Sequence, residues 1–187
     1  MRVIAGTFRS RTLTTPKGFD TRPTSDRLRE TLFNVLAPRI EGALFLDLYA
    51  GSGANGIEAL SRGAQQVVFV ERAAPAIAAI RTNLSALAVS KDFQLETRSV
   101  AATLKRLLDQ NKKFDVLFLD PPYDAAIEYE QTLGLLGAEC SELLMPEAVV
   151  IAEHRRKQKL NDEYGKLHRY RVLEQGDAAL SFYSAIQ

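Results

Sequence analysis

Cysteine is nearly absent from this chain: Cys140 is the only one. That excludes a disulfide framework and a cysteine zinc site. His154 and His168 are too few and too scattered to make a metal centre, so none is expected. No apolar run reaches the length of a membrane span, and no basic-apolar-cleavage pattern opens the chain. The expectation is a cytoplasmic protein with no membrane partner. Charge of one sign is not in excess either. The 24 Lys+Arg and 23 Asp+Glu leave a formal net charge of +1, so bulk composition names no nucleic-acid partner. Internal repeats and low-complexity segments are also missing.

What is present suits one globular domain with an appendage. The chain has 187 residues, 46% of them hydrophobic. Its charge is unevenly spread. Residues 1–30 hold seven Lys/Arg against three Asp/Glu, an asymmetry that suits an anionic partner or a solvated terminus. Residues 3–6 and 11–14 read as two short strands around a turn, and Thr24 or Ser25 is placed to cap a helix over 26–36 that Pro38 closes. From residue 43 strand and helix alternate. Strands are expected over 44–49, 66–71, 93–98, 115–120 and 148–153, with helices over 54–61, 75–87, 100–110 and 125–136. Runs that are apolar throughout, such as Val116-Leu117-Phe118-Leu119, suit a parallel sheet covered on both faces. Residues 167–174 and 179–186 flank Gly176-Asp177 with no helix between, which predicts an antiparallel last strand at or near the sheet edge. Residues 155–171 are basic and read as a solvated edge whose lysines oppose strand pairing.

The stretch around which the chain is organised is Leu46-Asp47-Leu48-Tyr49-Ala50-Gly51-Ser52-Gly53-Ala54-Asn55-Gly56. Gly51, Gly53 and Gly56 spell G-x-G-x-x-G after an apolar run, a pattern that permits a tight turn and close backbone approach to a ligand. Glu71 ends the next apolar run, at the distance where such folds hold ribose hydroxyls. A dinucleotide oxidoreductase and an S-adenosylmethionine enzyme share these features. Asp47 favours the second, because an acid ahead of the glycines would attract the amine of the methionine part and repel a pyrophosphate. Asp120-Pro121-Pro122-Tyr123 favours it too. An exocyclic amine is a poor nucleophile because its lone pair is delocalised into the base. Ionised Asp120 and the Pro121 carbonyl are acceptors that would draw that nitrogen toward a tetrahedral geometry. The prolines would stiffen the loop, and Tyr123 would stack on the base.

At this point the sequence resembles a known group. The stretch from Leu46 to Gly56 is similar to motif I of class I S-adenosylmethionine methyltransferases, and residues 120–123 to the Pro-Pro-Tyr motif of their amino-methylating members. Arg22-Pro23-Thr24-Ser25-Asp26-Arg27-Leu28-Arg29-Glu30-Thr31-Leu32-Phe33-Asn34 resembles the signature of the RsmD family. So do Arg2-Val3-Ile4-Ala5-Gly6 and the run from Gly56 to Ala64. The resemblance implies a Rossmann-like α/β domain with a mostly parallel seven-stranded sheet and an antiparallel last strand, over 41–187. A hairpin and helix extension over 1–40 would contact RNA. It implies methylation of a guanine N2 amine in small-subunit (16S) ribosomal RNA, free or in the assembling subunit, by a monomer. S-adenosylmethionine would be the donor and S-adenosylhomocysteine the product. Catalytic roles would fall on Asp120, Pro121, Pro122 and Tyr123. Cofactor contacts would fall on Asp47, Ala50, Gly51, Ser52, Gly53, Gly56, Glu71, Arg72, Val100 and Ala101. RNA contacts would fall on Arg2, Arg9, Arg11, Arg22, Thr24, Arg27 and Arg29. Val100 departs from relatives that commonly carry Asp or Asn there, so adenine would be held by backbone groups and apolar contact. Two alternatives stay open: amino-methylation of DNA bases or a protein glutamine, and an RNA-binding assembly factor without catalysis.

Overall fold

Val67, Val68, Phe69 and Val70 are each at most 1% exposed. A strand that apolar must be covered on both faces and paired on both edges. In the structure, a computed structural model describing residues 1–16, 26–122 and 126–185, it is β2. The chain divides into two compact units, Met1–Arg98 and Ser99–Gln187.

In the first unit the elements are α1 (Asp26–Ile40), β1 (Leu44–Leu48), α2 (Ala54–Ser61), β2 (Gln66–Val70), α3 (Ala74–Ala86) and β3 (Phe93–Glu96). Strand β2 lies between β1 and β3, parallel to both. Phe33 of α1 stacks on Phe45 of β1 with centroids 6.2 Å apart. Helix α1 runs past Pro38, where an end was expected. Pro38 lies within the last turn, so its missing N–H forfeits a single intrahelical bond. Buried Ile40 holds that turn to the core.

In the second unit the elements are α4 (Val100–Asp109), β4 (Phe114–Leu119), α5 (Ala126–Gly137), β5 (Leu144–Arg155), β6 (Glu163–Tyr164), β7 (Leu167–Gln175) and β8 (Ala178–Ala185). Strands β4 and β5 are parallel, and β8 pairs antiparallel with both β5 and β7. The antiparallel last strand is as expected. It sits inside the sheet, however, and its hairpin partner β7 lies further out. The described residues form eight strands rather than seven. The extra one, β6, is two residues long, too short for any alternation to show.

The N-terminal arm is the largest departure from expectation. Residues 3–6 and 11–14 form no strands, only an Arg2–Thr12 bridge. The turn is still closed, by Val3 N–H to the Arg11 carbonyl and Ser10 N–H to the Val3 carbonyl, both 2.9 Å. Leu13 N–H also donates across it to the Met1 carbonyl at 3.0 Å, but several other donors turn toward α2. The N–H groups of Ile4 and Ala5 donate to the Glu58 carboxylate at 2.7 and 3.0 Å. Thr7 N–H donates to the Ser61 carbonyl at 2.8 Å. Gly6 sits against that carbonyl at φ +79°, and a Cβ there would lie 1.7 Å from the oxygen, so only glycine fits.

Glu58 is fully buried, and it also accepts from Arg62 Nε at 2.7 Å. The buried Arg29 guanidinium lies 3.9 Å away and donates to the Arg2 carbonyl at 2.6 Å and to Asp26 at 2.8 Å. Removing one partner of such a network strands the others. Glu58→Ala should cost about 3–5 kcal/mol, and Glu58→Gln less. Denaturant unfolding checks this: a loss under about 1 kcal/mol for the alanine variant would show that water replaces the carboxylate.

Candidate active site

The glycine turn is built by left-handed backbone after β1. Tyr49, Gly51 and Gly53 have φ of +61°, +55° and +78°. Ala50 N–H ties the turn to the end of β2 through the Val70 carbonyl at 3.0 Å. The glycines do different work. At Gly56 a Cβ would lie 2.2 Å from the Phe69 ring and 2.8 Å from Val67, so this glycine lets α2 pack on β2. At Gly53 it would meet Ile80 at 3.2 Å. At Gly51 it would meet nothing within 4 Å. Of the three, Gly51 alone borders open space.

Two carboxylates brace this turn. Asp47 is 1% exposed, and its Oδ2 accepts the Gly56 N–H at 2.9 Å. The sequence expectation gave Asp47 a ligand amine; the structure spends one of its oxygens on the turn itself. Burial pushes its carboxyl up to about 8, opposed by the Gly56 hydrogen bond and reinforced by the charge of Glu71. Glu71 is half-buried, follows β2, and accepts Gly51 N–H on Oε2 at 2.9 Å. Its Oε1 accepts the Arg72 and Ala73 N–H groups, both at 2.8 Å. Oε2 keeps acceptor capacity for a hydroxyl. Arg72 is exposed and Ser52 buried.

Two residues that sequence reasoning missed hold the arrangement. Glu58 is one. The other is Asn83, whose Nδ2 donates to the Ser52 carbonyl at 2.9 Å and to the Thr14 carbonyl at 3.0 Å. Its Oδ1 accepts Thr14 N–H at 2.7 Å, so one side chain links the arm to the glycine turn. A signal existed: Ala76, Ala79, Ile80, Asn83 and Leu84 are the buried stripe of α3, and an amide in such a stripe needs partners.

In the second unit β4 ends at Leu119. Asp120 is half-buried, Pro121 buried and Pro122 exposed. Tyr123 lies outside the described residues. Helix α5 is fixed nearby by Tyr129, whose hydroxyl donates to the Glu153 carbonyl at 2.7 Å. Val100 opens α4 and is 7% exposed, while Ala101 faces solvent. Ser99 caps that helix by accepting Ala102 N–H at 3.3 Å.

Of the expected RNA-contacting residues, Arg2, Arg9, Arg11 and Arg27 are exposed. Arg2, Arg9 and Arg27 share the lining of a concavity of about 390 Å³ with Asp26 and Glu30. Arg22 and Thr24 lie outside the described residues. Arg29 corrects the expectation: its side chain has no exposure and is enclosed by Asp26, the Arg2 carbonyl and Glu58, so it cannot meet a phosphate. Among the described residues no His/Cys/Asp/Glu cluster could hold a metal ion, and no helix is long and apolar enough to cross a membrane.

The raised carboxyl of Asp47 has a measurable consequence. Its folded pKa, about 8, lies above the ordinary 3.8. The favourable contribution is therefore complete below the ordinary value and is lost as pH rises through the folded one. Asp47→Asn keeps an acceptor for Gly56 and cannot ionise. The variant should gain on the parent steadily between about pH 4 and pH 8 and hold that gain above. Denaturant midpoints at about pH 5, 7 and 9 measure it; a difference that does not change with pH would mean Asp47 is ionised throughout.

Comparison with known proteins gives the family and the fold. A family model described as "Conserved hypothetical protein 95" matches residues 1–184. YlbH of Bacillus subtilis, whose name marks it as a candidate rRNA methyltransferase, is 36% identical over 185 residues, covering 98% of each chain. Ribosomal RNA small subunit methyltransferase D of Haemophilus influenzae is 38% identical over 161 residues, 86% of this chain and 81% of that one. A solved structure from Escherichia coli, described as a candidate methyltransferase, matches with a TM-score of 0.83 and 30% identity, covering 99% of this chain and 97% of its own. The architecture is thus the α/β methyltransferase fold. On both the family match and these relatives, the chain belongs to the RsmD family of methyltransferases.

Proposed function

We propose that the protein transfers a methyl group from S-adenosylmethionine to the N2 amine of one guanine in small-subunit ribosomal RNA. What carries the reading is one combination in a single chain. A glycine turn is braced by Glu71 and Asp47, and the Asp120-Pro121-Pro122 run follows β4. The names of the relatives support ribosomal RNA as the substrate.

The residues fit the donor. The open space at Gly51 allows close approach, and Glu71 Oε2 can accept a ribose hydroxyl. Asn55 Oδ1, on the first turn of α2, is buried with no hydrogen-bond partner among the described residues and would welcome a ligand donor. Ala50, Ser52, Gly53 and Gly56 shape the turn, and Asp47 holds it. Arg72 flanks the ribose acid. Val100 and Ala101 would offer adenine an apolar side chain and the backbone of the start of α4.

When bound, S-adenosylmethionine supplies a methyl group made electrophilic by its sulfonium. Asp120 and the Pro121 carbonyl accept the two N–H groups of the target amine, which frees the nitrogen lone pair. An N–C bond would form as the C–S bond of the donor breaks, leaving the electron pair on sulfur. Asp120 stabilises the positive charge that develops on nitrogen, and the proton that nitrogen then loses passes to solvent water. Tyr123 stacks on a base that has left its helix. No metal is called for, since the sulfonium already activates the carbon. The division of labour places RNA affinity in residues 1–40, through Arg2, Arg9, Arg11, Arg22, Thr24 and Arg27, and catalysis in 41–187. The protein would act as a monomer in the cytoplasm, where small subunits are assembled.

Labelled methyl donor and small-subunit ribosomal RNA lacking the modification should yield N2-methylguanosine after digestion. Asp120→Ala should lower turnover about 100- to 1,000-fold with donor affinity kept. Gly51→Ala should instead weaken donor binding. Label in another base or in protein, or normal turnover by Asp120→Ala, would overturn the proposal. Changing Arg2, Arg9 and Arg11 together to Ala should reduce the slope of log affinity against log salt by about two to three. An unchanged slope in filter binding would make their charge incidental.

A further inference from the structure

Strand β7 carries an irregularity that the proposed reaction does not use. Arg169 pairs with Tyr183 and Arg171 with Phe182, so Tyr170 is the extra residue of a β-bulge. In a regular strand, residues 170 and 171 would face opposite sides. Here both meet one ring. The Tyr170 ring is 6.3 Å from that of Phe182, and the Arg171 guanidinium lies 5.8 Å over it. Phe182 is fully buried and gives the pair a fixed floor, while Tyr170 remains 51% exposed and Val172 43%. Among the described residues these two are among three large apolar side chains that stand out as exposed.

The charge of this segment is predominantly positive. Residues 155–175 hold seven Lys/Arg against three Asp/Glu, and Arg156, Lys157 and Lys166 are exposed. Among the described residues β6 pairs with Leu167 and His168, and Arg169 N–H still donates to the Asp162 carbonyl at 2.7 Å; from Arg171 on, β7 pairs only with β8. Lysines that merely guard a sheet edge explain the charge. They do not explain a bulge that raises an aromatic and a guanidinium side by side into solvent, where a guarding edge would keep polar groups. Flat π-faces beside positive charge are what an unpaired base and its phosphates require. An acidic protein would match the charge and leave the stacked pair without a use.

We infer that the bulged face of β7 is a second RNA-contacting surface. Tyr170 and Arg171 stack on an unpaired base, and exposed Lys166 just before β7 and Arg156 and Lys157 beside the β7–β8 turn meet phosphates further along the RNA. The inference rests on the reading of RNA as substrate and deepens it, adding a contact that is independent of the N-terminal arm.

The test is binding of the full-length protein to small-subunit ribosomal RNA lacking the modification, as naked RNA and within the small subunit. Tyr170→Leu keeps apolar bulk over Phe182 and loses the stacking plane. It should weaken binding to both probes about tenfold, while Tyr170→Phe stays near the parent. Arg171→Ala should weaken it similarly and Arg171→Lys less, because an ammonium keeps charge without a planar face. Donor affinity and melting temperature should not change in any of them. If the parent binds and methylates RNA and Tyr170→Leu matches it, this inference fails while the proposed function stands. If the parent itself neither binds nor methylates RNA, the proposed function fails and takes this inference with it. Weakened binding to the assembled subunit alone, with naked RNA unaffected, would overturn it in favour of a protein partner.

Discussion

A buried carboxylate, Glu58, fixes the relation between the N-terminal arm and the glycine turn. It sits on α2, the helix that the turn launches, and receives two backbone N–H groups from the arm. Desolvating a charge is expensive unless it is fully partnered. The arm's donors, Arg62 and the nearby Arg29 provide that partnership. The same contacts explain why the expected N-terminal strands do not form. A backbone N–H has one proton to give, and Ile4 and Ala5 give theirs to Glu58 rather than to a facing strand.

The second constraint is the pair of acids that hold the turn. Left-handed backbone at Tyr49, a non-glycine residue, is strained and persists only where its surroundings over-determine it. Asp47 and Glu71 supply that determination from the ends of adjacent strands, one gripping Gly56 and the other Gly51. Asn83 adds a third grip at Ser52. The turn is thus set by hydrogen bonds within the unit itself, which leaves the open face at Gly51 ready without rearrangement.

Much of this was legible in the sequence, for physical reasons. Apolar runs at 66–71 and 115–120 had to be covered strands, and the glycine spacing had to be a turn. The motifs marked the right strand ends at Asp47, Glu71 and Asp120. What escaped depends on partners distant in sequence. Arg29 reads as a surface cation because arginine usually is one. Yet it shares the buried set of α1 with Leu28, Leu32, Phe33, Leu36 and Ile40, and its partners come from residues 2, 26 and 58. In the sequence Asp47 stands out for the ligand amine it would attract, and the competing Gly56 N–H appears only once the turn is folded. Strand β6 exists only because β7 is there to pair with it.

Net charge is the least informative number in the sequence, and its distribution among the most informative. The segments 1–30 and 155–175 each hold seven Lys/Arg against three Asp/Glu, which leaves ten Lys/Arg against seventeen Asp/Glu elsewhere. A uniformly basic protein would hold any RNA in any orientation, because phosphates carry no sequence information. Confining positive charge to segments of an otherwise acidic chain would make most encounters with a polyanion unproductive and favour those in which such a segment faces it. Within the first segment the structure refines this further. Arg29 is withdrawn into the core, while Arg2, Arg9 and Arg27 share one concavity with two acids that temper their pull. Such a surface would hold a polyanion weakly by charge and leave selectivity to the contacts made beside it.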